Sequence, residues 1–236
     1  MALPIWLSQT SLAATILTST AGTYIGFTPP NPGTKPVPST GDLWRRLSVT
    51  NKRFINIAFA PLGLLALHAS SLAYFYPHIP PLVLRGGAAN GLNPDLVTWS
   101  GATSIPLALI LCAGIPLRLV PYASLGKNFT FTLAEPDRLK TTGIYRYVQH
   151  PSYTGLLVLL VSNVALLGRT DGALSCWIPP AWHKALQALV WGAILSLSIF
   201  GVWTRVWQEE RMLRARFGAE WENWHARTPR FVPWLF

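Results

Sequence analysis

Charged side chains are scarce in this chain: Asp, Glu, Lys and Arg make up 12% of its 236 residues, against roughly 25% in soluble domains. So few charges cannot clothe a globular surface in water, and a soluble fold is set aside on that ground. Acidic residues are scarcer still, 9 against 19 basic ones, which leaves a formal net charge of +10. The basic residues are spread between apolar runs rather than interleaved with a polar binding face. No nucleic-acid partner is therefore expected, and the distribution suits the edge of a membrane. Cysteine is almost missing, with Cys112 in an apolar run and Cys176 in a short loop. Two such residues offer neither a disulfide framework nor metal-ligand spacing. His68, His78, His183 and His225 stand apart without ligand spacing, so no metal is expected. A G-x-G-x-x-G loop is also missing, which removes the usual soluble way of holding a nucleoside cofactor.

What the chain has in quantity is apolar sequence. Half of its residues are hydrophobic, and its 11 Trp and 20 Pro fit interfacial aromatic belts and the helix interruptions that membrane bundles tolerate. Five stretches are long and apolar enough to be read as spans: 3–27, 54–76, 96–120, 152–168 and 182–206. The expected fold is all-α, a polytopic integral membrane protein of about five transmembrane helices forming one domain over 1–236. The first stretch has no basic residue ahead of it and "TAGTYIGF" is a weak cleavage site, so it is read as a retained helix. Pro61, Pro106 and Pro116 are tolerable inside packed spans, and the linker "TPPNPGTKPVPSTG" joins the first two.

Arg85, Arg169 and Lys184 fall on one side of the alternating spans and the other 16 of the 19 basic residues on the opposite side. The positive-inside rule then places the C-terminus in the cytoplasm and the N-terminus across the membrane. The sequon Asn128-Phe129-Thr130 faces the cytosol in this orientation and is expected to stay unmodified. The fourth stretch is short: about 25 Å of helix for a hydrocarbon core of about 30 Å. Its polar end, "YVQHPSY", is expected in a protein-lined, water-accessible pocket. Two polar clusters flank spans four and five on the basic side, "LKTTGIYRYVQHPSYTG" and "WTRVWQEERMLRARFGAEWENW". Antiparallel spans joined by a short loop bring these clusters together, with His150 and Tyr153 toward Arg205 and Glu209. Taken alone, Arg205 and Glu209 at i and i+4 read as a surface salt bridge. His150-Pro151 alone reads as an N-cap with a first-turn proline.

In order along the chain stand "DRLKTTGIYRYVQHPSYTG", a two-helix hairpin, "RVWQEERML" and "FGAEWENWHARTPRFVPWLF". This succession resembles the isoprenylcysteine carboxyl methyltransferase family and its relatives among integral-membrane phospholipid methyltransferases, over 125–236. The resemblance implies carboxyl O-methylation, dependent on S-adenosyl-L-methionine, of a prenylated cysteine or similar lipophilic carboxylate arriving from the lipid bilayer. It implies an endomembrane, the endoplasmic reticulum. It also implies a cofactor site of Asp137, Arg138, Leu139, Lys140, Tyr145, His150, Pro151, Ser152, Tyr153 and Glu209, with Glu209 meeting the cofactor's ammonium. Arg205 is implied as the residue that positions the acceptor carboxylate. The family usually carries Arg before His-Pro, and this chain has Gln149, which leaves Arg205 and Arg146 as cations for an acceptor held differently. Glu210 completes the acidic pair with a structural role only. The tail "PRFVPWLF", broken by Pro229 and Pro233, is expected to fold back over the site or lie in the interface.

Other readings stay open at this point. A phospholipid N-methyltransferase shares the resemblance, but an amine acceptor must first lose a proton and has no use for Arg205 as a carboxylate clamp. Membrane sterol reductases of related fold take hydride from NADPH. They carry an Arg-Asp-rich stretch and a Cys-containing "KYG" segment where this chain has "QEERMLRARFG". A transporter or scaffold is the third class. Ionisable residues along a transmembrane path would mark a transporter, and spans one to three hold almost none apart from His68, whose plainer role is a buried hydrogen bond. The acceptor and the oligomeric state do not follow from the sequence.

Overall fold

The computed structural model describes residues 5–31, 42–46 and 51–232. Expectations placed on most of the linker, Lys35 included, and on Pro233 and the last residues of the tail lie outside the described residues. Helix α1 (Ile5–Phe27) packs along α2 (Lys52–Phe75). Helix α3 (Gly101–Leu109) runs through a π-turn at Ile110–Gly114 into α4 (Ile115–Leu125). Helix α5 (Pro151–Leu167) packs on α3 and α4, and α6 (His183–Phe217) is followed by the short α7 (Ala219–His225). No strand occurs among the described residues.

Among the described residues three helical stretches are long and apolar enough to cross a membrane: Lys52–Phe75, Pro94–Asn128 and Pro180–Phe217. The fourth expected span, α5, is apolar but has only 17 residues. Helix α1 has the length, 23 residues, but its Ser and Thr dilute its hydropathy. Those hydroxyls are satisfied within the helix, Thr15 on the Ser11 carbonyl at 2.7 Å and Thr20 on that of Ile16 at 2.9 Å, as hydroxyls do where no water is at hand.

The π-turn has a local cause. Pro116 cannot donate, and its ring would clash with the carbonyl four residues back. The chain widens by one residue instead, so that the Ile115 N–H reaches the Ile110 carbonyl. A core of Leu12, Ile16, Leu72, Leu107, Ile110 and Leu159 is sealed from solvent. Outward stand large apolar side chains such as Ile57, Leu64, Leu67, Leu197, Ile199 and Phe200, a belt far too wide for a water-facing monomer surface.

Two features position the site. Gly155 of α5 lies so close to α4 that an added Cβ would sit 2.9 Å from the Leu117 carbonyl carbon, which draws the first turn of α5 onto Arg118. At the far end of the bundle the loops on either side of the spans are tied together. The Asn93 N–H donates to the Asp171 carbonyl at 2.8 Å, and the Asn90 amide to that of Ser175 at 2.7 Å.

Helix α6 runs 35 residues, eleven past the expected end of the fifth span, because "QEERMLRARF" is rich in good helix formers although polar. Gly218, at φ 52°, stops it, its N–H on the Arg214 carbonyl at 2.9 Å.

Candidate functional site

Pro151 opens α5 at its first turn, where its missing N–H costs nothing. His150 stands at the cap position but makes no side-chain cap bond. Its Nε2 lies 3.3 Å from Glu210 Oε1, an oxygen that also accepts from Arg230 Nε at 2.7 Å while Arg230 Nη2 donates to Oε2 at 3.0 Å. Three residues on, the Tyr153 hydroxyl donates to Glu209 Oε2 at 2.8 Å. The two adjacent glutamates of α6 therefore divide between them the two ring residues of α5.

Arg205 departs from the i, i+4 reading. It is buried, and its guanidinium donates to Asp42 Oδ1 at 2.9 Å and to the Phe131 carbonyl at 2.6 Å. It is not a surface bridge to Glu209, because α6 at this level faces the bundle and Asp42, itself held by the Leu133 N–H at 2.6 Å, offers the nearer carboxylate. Arg118, counted from sequence among the cations of the cytoplasmic side, is also buried. Its Nε donates to the Gly26 carbonyl at 2.8 Å and its Nη1 to Ser152 Oγ at 2.5 Å. The guanidinium carbon lies 5.0 Å from the ring centre of Phe131, so Phe131 touches both arginines.

These groups meet on one cavity of about 850 Å³, within the range of roughly 300–1,000 Å³ typical of ligand sites. Arg138, Leu139, Lys140, Tyr145, His150, Pro151, Ser152, Tyr153 and Glu209 all line it, as do Arg205 and Gln149. Asp137 is the exception in the expected cofactor set: it is off the wall, its largely exposed carboxylate drawn to Lys127 at 3.5 Å. Most of the remaining wall is apolar, with Phe54, Phe59 and Leu62 from α2, Leu160 from α5, and Leu197 and Phe200 from α6, though Thr23, Asn163 and Ser198 also line it. Burial, and after it the charge of Glu209, holds the Tyr145 phenol well above its ordinary pKa, so it stays protonated.

Gln149 holds the tail. Its Nε2 donates to the carbonyls of Thr228 and, at 3.2 Å, His225, and its Oε1 lies 2.8 Å from His225 Nδ1. The backbone N–H groups of Gln149 and His150 donate to the carbonyls of Pro229 and Arg230, each at 2.9 Å. Thr154 Oγ1 donates to that of Phe231 at 2.8 Å. The described part of the tail thus folds back over the start of α5. Burial first of all lowers the pKa of His225, and a neutral ring donating from Nδ1 to Gln149 while presenting Nε2 to Arg230 at 3.3 Å fits that surrounding. Arg146 is exposed and off the cavity wall.

Sequence reasoning missed Asp42, the burial of Arg118 and the double contact of Phe131. Only Arg118 carried a signal, a cation inside an apolar run.

The arrangement suits a molecule with a compact charged head and a long apolar body. Residues 107–215 match the profile of the family described as isoprenylcysteine carboxyl methyltransferase (ICMT). A protein-S-isoprenylcysteine O-methyltransferase of Schizosaccharomyces pombe is 29% identical over 127 residues, 52% of this chain and 46% of the relative. Protein-S-isoprenylcysteine O-methyltransferase B of Arabidopsis thaliana is 26% identical over 146 residues, 60% of this chain and 64% of the relative. A probable enzyme of that name from Oryza sativa subsp. indica is 22% identical over 148 residues, 61% of this chain and 68% of the relative. The chain spans about half the length of the S. pombe relative and under two thirds of the Arabidopsis one.

Proposed function

We propose, from the match of residues 107–215 to the isoprenylcysteine carboxyl methyltransferase family, that the chain is an integral-membrane enzyme of that kind, which methylates the carboxylate of a lipophilic, prenylcysteine-like acceptor with S-adenosylmethionine. One observation carries this reading: the "HPSY" turn of α5 and the Arg205–Glu209 turn of α6 converge on a cavity whose charged groups gather there and whose remaining wall is mostly apolar.

The donor set fits such a cofactor. Glu209 presents a carboxylate to an ammonium, a charge-assisted contact that gains strength away from water, and Tyr153 fixes its orientation at 2.8 Å. Tyr145, held protonated, and Ser152 offer hydroxyls, and Arg138, Leu139 and Lys140 close the wall beside them. Bound S-adenosylmethionine supplies an electrophilic methyl group on a sulfonium. A carboxylate with an α-carboxyl pKa near 3.5 is already ionised at neutral pH, so the chain need provide no general base. Its work is to align the acceptor, with Arg205 at the acceptor end, and to keep water out. The phenyl and leucyl side chains of α2 and α6 suit a prenyl-like tail entering from the bilayer.

The topology follows the same reading: five crossings, with the less hydrophobic α1 and the short α5 included, and the C-terminus in the cytoplasm of an endoplasmic reticulum membrane by the positive-inside rule. Two arginines at the polar end favour an anionic acceptor over the amine of a phospholipid. The test is to offer purified protein S-adenosylmethionine and NADPH in turn, then a farnesylated cysteine and a phospholipid amine as acceptors. Binding of the first cofactor and methylation of the carboxylate are expected. NADPH binding in its place would assign the chain to reductase chemistry.

A further inference from the structure

The end of the bundle away from the "HPSY" turn has few cations to account for. Arg85 lays its guanidinium carbon 3.8 Å from the ring centre of Trp177, while Arg169 and Lys184 share a second pocket. This pocket, of about 630 Å³, lies between the end of α5 and the start of α6 and has no lining residue in common with the first. Arg169 is matched there: its Nε and Nη2 donate to the Asp171 carboxylate at 2.9 and 2.6 Å. Lys184 is not matched. It is exposed and forms no ion pair among the described residues.

The wall that α6 gives this pocket is graded. Lys184, Gln187, Ala188 and Trp191 stand at i, i+3, i+4 and i+7, a single stripe of the helix. The stripe runs from a cation at the end of the span, past an amide, to an indole about 10 Å deeper along the axis. Ala188 and, from α5, Ala165 are the small residues that leave the space open. Gln187 Oε1 accepts from the Thr170 N–H at 3.0 Å, while its Nε2 is buried without an acceptor among the described residues. Such a donor is destabilising until an acceptor reaches it. Trp177 and Trp182, both more than half exposed, mark this level as the membrane–water interface, where indoles gather.

We propose that this second pocket seats one phospholipid of the leaflet opposite the methyl-transfer site, its phosphate on Lys184 and an acyl chain along Trp191. A phosphodiester carries one negative charge, which matches the one cation here without a partner. Its oxygens are acceptors for the lysine ammonium and for the Gln187 amide. Asp171 does not oppose it, since that carboxylate is held by Arg169 and by the Asn93 amide at 3.1 Å. The order of the groups decides for a lipid over a free anion: the charge is at the mouth and an apolar ring lies behind it. A lysine at this level can bring its ammonium to a phosphate while its stem lies on apolar surface. The lipid would pack between the two helices whose other ends carry Tyr153 and Glu209, and so brace the hairpin that forms the first cavity. The assignment rests on the membrane-spanning reading and not on methyl transfer.

The test uses full-length protein stripped of lipid in an uncharged detergent. It compares wild type with Lys184→Gln, Ala188→Phe and a control, Lys127→Gln, whose side chain is 85% exposed at the other end of the bundle. Positions 184 and 188 are exposed, so all four proteins are expected to melt alike without lipid. Native mass spectrometry gives dissociation constants for phosphatidylglycerol and for diacylglycerol of the same chains, with inorganic phosphate offered as a competitor. Wild type is expected to bind one phosphatidylglycerol more tightly than any further copy. That affinity should fall about tenfold in Lys184→Gln, at least as far in Ala188→Phe, and not at all in Lys127→Gln. Diacylglycerol should bind weakly, with no dependence on position 184. Phosphatidylglycerol held equally by all four proteins would overturn the proposal. So would displacement of the lipid by equimolar inorganic phosphate, which marks a free-anion site. A loss in Lys127→Gln as large as in Lys184→Gln would overturn it too, since that marks unspecific attraction to a basic protein.

Discussion

Asp42 and Arg205 lie 2.9 Å apart in the interior of the protein, their side chains 0% and 3% exposed, joined across 163 positions of sequence. Removing one partner of such a pair strands a buried charge, which typically costs about 3–5 kcal/mol, whereas replacing both with apolar residues is often nearly neutral. Asp42→Ala is therefore expected to lower the melting temperature in detergent sharply. Asp42→Leu combined with Arg205→Met should recover much of that loss. Equal melting of the single and double variants would contradict the pairing.

Tyr153 and Glu209 test the cofactor end. Tyr153→Phe removes a hydrogen bond to an ionised group, worth about 1.5–3 kcal/mol, while leaving the ring in place. S-adenosylmethionine affinity is expected to fall by about tenfold with little change in melting. Glu209→Gln, which removes the charge itself, should lose more. A tyrosine variant with unchanged affinity would show that the carboxylate needs no such orientation.

Gly155 is a packing prediction. A Cβ there would lie 2.9 Å from the Leu117 carbonyl carbon and 3.0 Å from the Arg118 nitrogen, both backbone atoms of α4. Overpacking of this kind costs about 1–3 kcal/mol. Gly155→Ala should destabilise by that amount and weaken ligand binding as well, because the Arg118–Ser152 contact is the first to be displaced. A variant as stable as wild type would mean the helices part without strain.

The tail is expected to respond to pH through His225. Burial lowers its pKa in the folded protein, so the unfolded state binds the extra proton more readily and stability rises with pH. Its contribution is complete above about 6.5, the ordinary histidine value, and is lost as pH falls through the lowered folded value. Protonation would set a cation against Arg230 at 3.3 Å. Hydrogen exchange at the Gln149 and His150 amides, which are bonded to the tail, should quicken on acidification. Gln149→Arg, placing a cation beside the same groups, should quicken it already at neutral pH. Exchange indifferent to both changes would detach the tail from His225.

The helical stretches were readable because long apolar runs admit few structures, and the short fourth run was rightly read as leading into a protein-lined pocket. The convergence of His150, Tyr153, Arg205 and Glu209 was also readable, since two antiparallel helices joined by a connection much shorter than themselves bring their far ends to the same side. Partners far apart in sequence were not. Asp42 comes from the segment between α1 and α2, and no periodicity links it to Arg205. Arg118 counted only as a cation of the cytoplasmic side, because a charge rule sees residue type and side of the membrane, not depth. The length of α6 was hidden by the opposite error: a helix ends where its hydrogen bonds end, at Gly218, not where its hydrophobicity does.

The most direct test is methyl transfer itself. Membranes containing the full chain would be incubated with S-adenosylmethionine labelled in its methyl group and a farnesylated cysteine, beside Glu209→Ala and Arg205→Ala membranes matched for folded protein. The account predicts base-labile label on the acceptor with wild type and little with either variant, since an ester is formed and both residues serve it. Label of equal amount in all three would contradict the assigned site, and no label with wild type, in protein that binds neither ligand, would contradict the activity.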